Sequence, residues 1–326
     1  MSTGTHERPR RLIADIGGTH ARFALCTSVA DIEEIGMVNS ADFPTIVDAV
    51  RHYLGRHGNP PVRHAVIGIA NPILGDHVRM TNFQWEFSIE QARQALGLDT
   101  LHVINDFTAL ALALPYLPAD ELTRVGGGPA VPGCPMGVLG PGTGLGVSAL
   151  IPAPAGKWIP LAAEGGHVSF APGDDRELML WQAARRELGH VSMERLLSGS
   201  GLQFIHRSLC ESRGLAAPDH SPAEISRRAL TDGDASCLEA LDTFCAILGT
   251  AAGDLAVTLG ARAGIYIGGG IIPKLGDYFP KSPFRARFED KGRFSGYLAA
   301  IPVFVITSAY PALLGAAAHL DIYPNE

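Results

Sequence analysis

The sequence predicts an α/β fold of two similar domains with a deep cleft between them, and three features carry that expectation. The first is a pair of glycine-threonine loops, Asp15-Ile16-Gly17-Gly18-Thr19 and Gly140-Pro141-Gly142-Thr143-Gly144, each set between two apolar runs of strand type. The second is the alternation of strands and helices after each loop. The third is a polar step, Asn105-Asp106, that ends an apolar run between the two loops. A strand, a tight glycine turn and another strand form a hairpin whose bend exposes backbone N–H groups. Glycine lets such a backbone take unusual angles and approach an anion closely, and Thr19 and Thr143 add hydroxyl donors. One such hairpin would mean little. Two in one chain read as a pair of phosphate clamps, one in each domain.

Along the chain, Leu12–Asp15 and Ala21–Cys26 flank the first loop, and the opening stretch reads as three strands, a helix and a strand. Ile46, Val47, Val50, Tyr53 and Leu54 share one helical face, with Gly55 as the stop. His64–Ala70 is a continuous apolar strand closed by the turn signal Asn71-Pro72. Leu101–Ile104 is a strand ending at Asn105-Asp106, and the Ala- and Leu-rich Phe107–Leu114 is helical until Pro115. Gly and Pro crowd residues 125–135, a boundary signal. Met136–Leu139 and Leu145–Ile151 form the second hairpin. Leu238, Leu241, Cys245, Leu248, Ala252, Leu255 and Leu259 mark one face of a long buried helix capped by Gly260. Gly264–Ile267 is a strand, Gly268-Gly269-Gly270 a third glycine turn, and Ile301–Ile306 the last strand. A helix follows from Pro311 through Leu320, where Leu314-Gly315-Ala316-Ala317-Ala318 suits close packing on a sheet. The domains are expected at residues 1–116 plus 306–326, a small α/β domain, and at 117–305, a larger one.

Bulk properties narrow the function. At 326 residues the chain can build two cores, and 46% hydrophobic with 18% charged residues fits a globular protein. A net charge of −7 gives no basic field for a nucleic-acid backbone, yet a local loop can still bind phosphate. Five scattered cysteines, Cys26, Cys134, Cys210, Cys237 and Cys245, never form a Cys-x-x-Cys pair; reduced thiols are expected, with Cys245 in the core. Met1–Arg11 lacks the apolar segment of a signal peptide and reads as a short disordered lead-in, and no uncharged run approaches membrane-spanning length. A soluble, cytoplasmic protein without nucleic-acid or membrane partners is expected.

Some side chains stand out on local grounds, each with a plainer alternative. Asp106 ends a strand at the expected domain junction, where a carboxylate can act as a base; Asn-Asp there can also just cap the next helix. Glu164 and His167 flank a Gly-Gly turn that can aim both into one pocket, where carboxylate and imidazole hold hydroxyls in fixed directions; as an exposed pair they would be solvated surface. Asp15 can pair with Arg22, Glu194 can be a helix-surface charge, and Thr81-Asn82 can be a turn.

From Leu12 to Leu320 the chain resembles the bacterial glucokinases, members of the actin-like ATPase superfamily that also includes hexokinases. The segments that carry the resemblance are Ala14-Asp15-Ile16-Gly17-Gly18-Thr19, Met80-Thr81-Asn82, Ile104-Asn105-Asp106-Phe107-Thr108 and Gly142-Thr143-Gly144-Leu145-Gly146. They continue with Glu164-Gly165-Gly166-His167, Leu197-Ser198-Gly199-Ser200-Gly201-Leu202, Gly268-Gly269-Gly270-Ile271 and Lys291-Gly292-Arg293-Phe294. The resemblance implies two actin-like ATPase (ribonuclease H-like) domains. It implies ATP-dependent phosphorylation of D-glucose to glucose 6-phosphate, the first step of glycolysis, by a homodimer.

By the same resemblance Asp106 is the catalytic base, and Asn105, Glu164, His167, Glu194 and Asn82 bind the sugar. Ala14, Asp15, Ile16, Gly17, Gly18 and Thr19 grip the ATP phosphates from one side, and Gly142, Thr143 and Gly144 from the other. Gly268, Gly269 and Gly270 let adenosine lie against backbone, Ser198 and Ser200 line the nucleotide side, and Asp15 stands near Mg2+, acting through bound water. One departure is His20, where the family usually has Asn. Arg285–Phe294 fits the family without an evident chemical role and reads as surface or subunit contact. The alternatives are a kinase for another hexose, fructose or mannose, and a non-catalytic sugar-sensing regulator. The lead-in before Leu12 is too short for a helix-turn-helix, and the cysteine-rich zinc motif of related repressors is missing.

Overall fold

A computed structural model describes residues 9–81 and 83–323, so Asn82 and most of the lead-in lie outside the described residues. The chain forms two compact units. The first runs to Leu117, takes in Pro154–Ala162 and resumes at Ser308; the second spans Pro118–Ala153 and Ala163–Thr307. Pro154–Ala162 therefore groups with the first unit, whereas the sequence assigned it to the larger domain.

In the first unit the chain runs β1 (Arg11–Ile16), β2 (His20–Ser28), β3 (Asp31–Asn39), α1 (Ile46–Arg56), β4 (His64–Ile69), a small hairpin of β5 (His77–Arg79) and β6 (Glu86–Ser88), α2 (Ile89–Leu96), β7 (Thr100–Asn105) and α3 (Asp106–Ala113). The sheet order is β3-β2-β1-β4-β7, with β1 antiparallel to β2 and parallel to β4, and β4 parallel to β7. Side chains alternate across the pleat, so β1 feeds two cores. Leu12, Ala14 and Ile16 pack with Ile46, Val50, Tyr53 and Ala92 on one face. Ile13 packs with Val66, Leu313, Ala316 and Leu320 on the other, under the C-terminal helix Pro311–Ile322. Burial on both faces is why β1 and β4 read as unbroken apolar runs.

Two sequence expectations change here. Gly55 lies inside α1, which continues to Arg56 and ends where Gly58 supplies a left-handed φ of 78°. Gly315 meets more than a sheet, since a Cβ at that position would sit 1.6 Å from the Ala109 carbonyl oxygen of α3. The small-residue stripe is thus a helix–helix contact as well.

The second unit contains β8 (Leu122–Arg124), β9 (Met136–Pro141) and β10 (Leu145–Pro152); β11 (Trp158–Ala162) groups with the first unit. It continues with α4 (Asp175–Leu188), α5 (Met193–Leu196), α6 (Gly199–Ser212), α7 (Pro222–Arg227), α8 (Ala235–Leu259), β12 (Gly264–Ile267), α9 (Phe284–Glu289), α10 (Ser295–Ala299) and β13 (Val303–Ile306). Its strands lie in the order β10-β9-β12-β13-β8, with β9 antiparallel to β10 and parallel to β12, and β12 parallel to β13. This repeats the β2-β1-β4-β7 pattern of the first unit. Among the described residues α8 is the one helix long and apolar enough to cross a bilayer, and most of it is buried in this unit's core. Asp234 caps its start and Gly260, at φ 62°, its end. Cys245 on α8 is fully buried, and burial pushes its thiol up to about 12.

Within Arg285–Phe294 the surface expected of the stretch is found at Gly292–Phe294, which is exposed, whereas Arg285 and Arg287 have internal roles. The Arg285 guanidinium donates to the carbonyls of Val125, Leu298, Ala299 and Ile301 and lies over the Phe288 ring. Arg287 pairs with Asp174 and with the buried Glu177, 2.8 Å from each. Five donors in a planar fork suit this collecting of helix-end carbonyls.

Candidate active site

In the first unit the carboxyl ends of three parallel strands are level, with Ile16 paired to Ile69 and Ile69 to Asn105. Ligands of open α/β sheets bind at such ends. Beyond β1, the Gly17 N–H donates to the His20 carbonyl at 2.9 Å and the Ser40 N–H to the Thr19 carbonyl at 3.0 Å. Thr19 is left exposed at the tip. The unexpected His20 thus closes the turn through its backbone. Asp15 accepts from Arg22 at 2.9 Å, so the ion pair offered as its plainer reading is present. Burial nonetheless pushes the Asp15 carboxyl up, against the pull of Arg22.

Beyond β7, Asn105 is the N-cap of α3. Its Oδ1 accepts from the N–H groups of Phe107, at 2.9 Å, and Thr108, at 3.2 Å. Asp106 is therefore the first residue of the helix, and its Oδ1 also accepts the Phe107 N–H at 2.9 Å. The positive end of a helix favours an ionised carboxylate there. The cap role suggested for Asn-Asp belongs to Asn105, and Asp106 is presented beside it.

Asn71, in sequence only a turn signal, joins these strand ends in the structure. Its Oδ1 accepts from the Thr81 N–H at 3.0 Å and the Thr81 hydroxyl at 2.6 Å, and its carbonyl takes the Asn105 Nδ2 at 3.4 Å. The signal available was its place just past β4, the neighbour of the strand that ends at Asn105.

The second unit gathers the other candidates around Leu145, the first residue of β10. The Leu145 N–H donates to Glu194 Oε2 at 2.9 Å, and a Cβ on Gly166 would sit 2.2 Å from the Leu145 oxygen. Bare glycine thus seats the Glu164–His167 turn directly on the strand. Glu164 and His167 are exposed and 4.0 Å apart, and the next residue, Val168, accepts from the Met193 N–H, beside Glu194. The structure thus brings Glu164, His167 and Glu194 into one neighbourhood.

The second glycine loop closes through Gly142 N–H to Gly144 carbonyl at 2.8 Å, and the Gly142 carbonyl accepts the Gly199 N–H at 2.9 Å. Ser198 caps α6 there, with its hydroxyl 3.1 Å from the Gly201 nitrogen and 3.1 Å from the Ser200 hydroxyl. The loop is thus at the N-terminus of a 14-residue helix, a setting that favours anions. Unusual backbone angles do not explain these glycines. Among the described residues only Gly269 of the three turns has a left-handed φ, 78°. Gly140 and Gly144 are bare for closeness, whereas Gly17, Gly142 and Gly270 have room for a Cβ. A Cβ on Gly140 would fall 2.4 Å from the Gly268 carbonyl carbon, and one on Gly144 2.4 Å from Glu194 Oε2. Asn82 lies outside the described residues.

N–H-rich turns with exposed hydroxyls, one at a helix N-terminus, have the chemistry to take a phosphate; a carboxylate beside a capping amide, and a Glu–His turn, have the chemistry to take hydroxyls. On a duplicated α/β framework they define a phosphotransferase that acts on a polyhydroxylated small molecule. A sequence profile of the family described as "Glucokinase" matches residues 12–322. Over 320 residues the chain is 60% identical to a glucokinase of Chromobacterium violaceum, covering 98% of this chain and 92% of that one. It is 54% identical to a glucokinase of Neisseria gonorrhoeae over 95% of this chain and 94% of that one. The crystal structure of a glucokinase from an Antarctic psychrotroph superposes with a TM-score of 0.88 at 38% identity, covering 97% of this chain and 99% of that one. The chain belongs to the glucokinase family.

Proposed function

We propose that this protein transfers the γ-phosphoryl group of ATP to the 6-hydroxyl of D-glucose, giving glucose 6-phosphate and ADP, with Asp106 as the base. Family membership at 60% identity over nearly the full chain supports the reaction. The placement of Asp106 at the head of α3, beside the capping Asn105, is the observation that carries the mechanism.

Asp106 accepts the proton of the sugar hydroxyl as its oxygen attacks the γ-phosphorus in line, and the bond to the leaving ADP oxygen breaks. Asn105, Glu164, His167, Glu194 and Asn82 hold the sugar's hydroxyls. Glu194 keeps one oxygen on the Leu145 N–H, and a carboxylate has further acceptor sites for a ligand. The turns ending in Thr19 and Thr143 take up phosphate charge through N–H and hydroxyl groups. The Gly268–Gly270 turn lies along adenosine, with Ser198 and Ser200 on the nucleotide side. A carboxyl pushed up by burial gains from a nearby cation, so Asp15 fits a hydrated Mg2+, which would neutralise phosphate charge when bound. In this reading two actin-like domains flank a cleft that closes over glucose, and the enzyme works as a cytoplasmic homodimer.

A coupled assay of ADP release with glucose, fructose and mannose tests the proposal on wild type and Asp106→Asn. Glucose should have the highest kcat/KM, and Asp106→Asn should lower kcat by ~10²–10⁴-fold with little change in the ATP KM. A variant keeping a tenth of wild-type turnover would remove Asp106 from its role, and a preference for fructose or mannose would reassign the substrate.

A further inference from the structure

We infer that Asn71 is a positioning residue of the sugar site, one that fixes Asn105 and the segment at Thr81 in the geometry that glucose uses. The inference rests on the function proposed above. Asn71 follows the carboxyl end of β4, next to the end of β7 that presents Asn105 and Asp106. Its own N–H donates to the Ile69 carbonyl at 2.7 Å, a three-residue turn, and Pro72 after it disfavours the helical region. The backbone direction of Asn71 is thereby set, and its two functional ends point to different partners. The carbonyl takes Asn105 Nδ2, and the side-chain oxygen takes both donors of Thr81. The residue before it, Ala70, donates to the Ile16 carbonyl at 3.4 Å, at the entrance to the first glycine loop.

The consequence for Asn105 is chemical. Its oxygen is committed to two helix N–H groups and one amide proton to Asn71, which leaves the second amide proton for a ligand. Asn105 can then serve a sugar hydroxyl only as a donor, whereas the Asp106 carboxylate beside it can only accept. A donor and an acceptor side by side recognise a hydroxyl, which both accepts and donates, and reject a group that does only one. Asn71 and Thr81 are not core residues: Thr81 is exposed and Asn71 only half-buried. Their hydrogen bonds therefore organise strand ends around the site and add little to the apolar packing.

Steady-state kinetics on Asn71→Ala, Asn71→Asp and Thr81→Val, with wild type alongside, test this. Asn71→Ala keeps the backbone carbonyl that holds Asn105 and removes both hydrogen bonds to Thr81; it should raise the glucose KM by about tenfold, with kcat within about threefold and the ATP KM within about twofold of wild type. Asn71→Asp keeps an oxygen acceptor for Thr81 and should restore most of the glucose KM. Because Thr81→Val removes a donor to the same oxygen, adding it to Asn71→Ala should cost nothing further. An unchanged glucose KM in Asn71→Ala would overturn the inference. So would a parallel loss in kcat and both KM values that Asn71→Asp does not rescue, the pattern of a purely structural role. Wild-type turnover separates the two levels: its absence removes the proposed function itself, whereas full turnover with an unaffected Asn71→Ala removes only the part given to Asn71.

Discussion

At the scale of single residues, the balance between burial and partners decides which groups are poised for chemistry and which only hold structure. His319 on the C-terminal helix is an example of the second kind. Its Nε2 is 3.1 Å from Nδ1 of His102 on β7, and its ring packs against Tyr323. Burial first, and His102 second, push its pKa down from 6.5 to about 4. The folded state therefore binds fewer protons at this site than the unfolded chain between pH 4 and 6.5, so stability rises with pH across that window. The contribution is complete above pH 6.5 and is lost as pH falls towards 4, to the extent of about 3 kcal/mol. Denaturant titrations from pH 4.5 to 7.5 should show a shallower pH dependence for His319→Gln than for wild type; parallel curves would mean that His319 does not titrate in this way. Such a pair was invisible in the sequence, because two histidines 217 positions apart meet only once the C-terminal helix has packed back on the sheet.

At the scale of elements, the sequence made the apolar strands, the two glycine hairpins and the long helix α8 legible, since all depend on local periodicity and turn chemistry. The order of Asn105 and Asp106 at the head of α3 was legible too. So was a cap at Asn105-Asp106, because its bonds are local; the Asn71–Asn105 and Asn71–Thr81 links and the seating of Gly166 on Leu145 were not, because each joins positions that only the tertiary fold brings together. Of the unusual angles expected at the glycine turns, a left-handed φ is present at Gly269, whereas in Gly140 and Gly144 the missing Cβ makes room for neighbouring atoms. Gly315 makes the strongest case. A methyl there would meet the Ala109 carbonyl oxygen at 1.6 Å, so the C-terminal helix or α3 must move. Gly315→Ala should destabilise by about 3 kcal/mol, the upper end of ordinary overpacking. It should also lower kcat, because Ala109 lies one turn from Asp106 on α3. Gly296→Ala is the control: α10 has nothing within 4 Å of that position, and alanine there should be neutral or slightly stabilising. Equal melting temperatures for Gly315→Ala and wild type would show that the helix contact tolerates a side chain.

At the scale of the whole molecule, the two units repeat one strand pattern, and the proposed chemistry divides its parts between them. The first unit holds Asp15, Thr19, Asn105 and Asp106, and the second holds Thr143, Glu164, His167 and Glu194. A phosphotransferase built from two such halves has a specific hazard, since water is a smaller acceptor than the 6-hydroxyl and would hydrolyse ATP if the halves were always assembled. The proposed closure removes that hazard by making assembly depend on the sugar. Glucose can drive closure only through binding energy that it gains in the closed state and lacks in the open one. Two outcomes should therefore appear together in the wild-type protein. Saturating glucose without ATP should reduce the radius of gyration measured by solution scattering, and ATP hydrolysis without sugar should be slow beside the glucose-dependent rate. Identical scattering profiles with and without glucose, at saturation established by direct binding, would point to a preformed site. Fast hydrolysis without sugar would remove the role of closure altogether, because the catalytic parts would then be complete before the acceptor arrives.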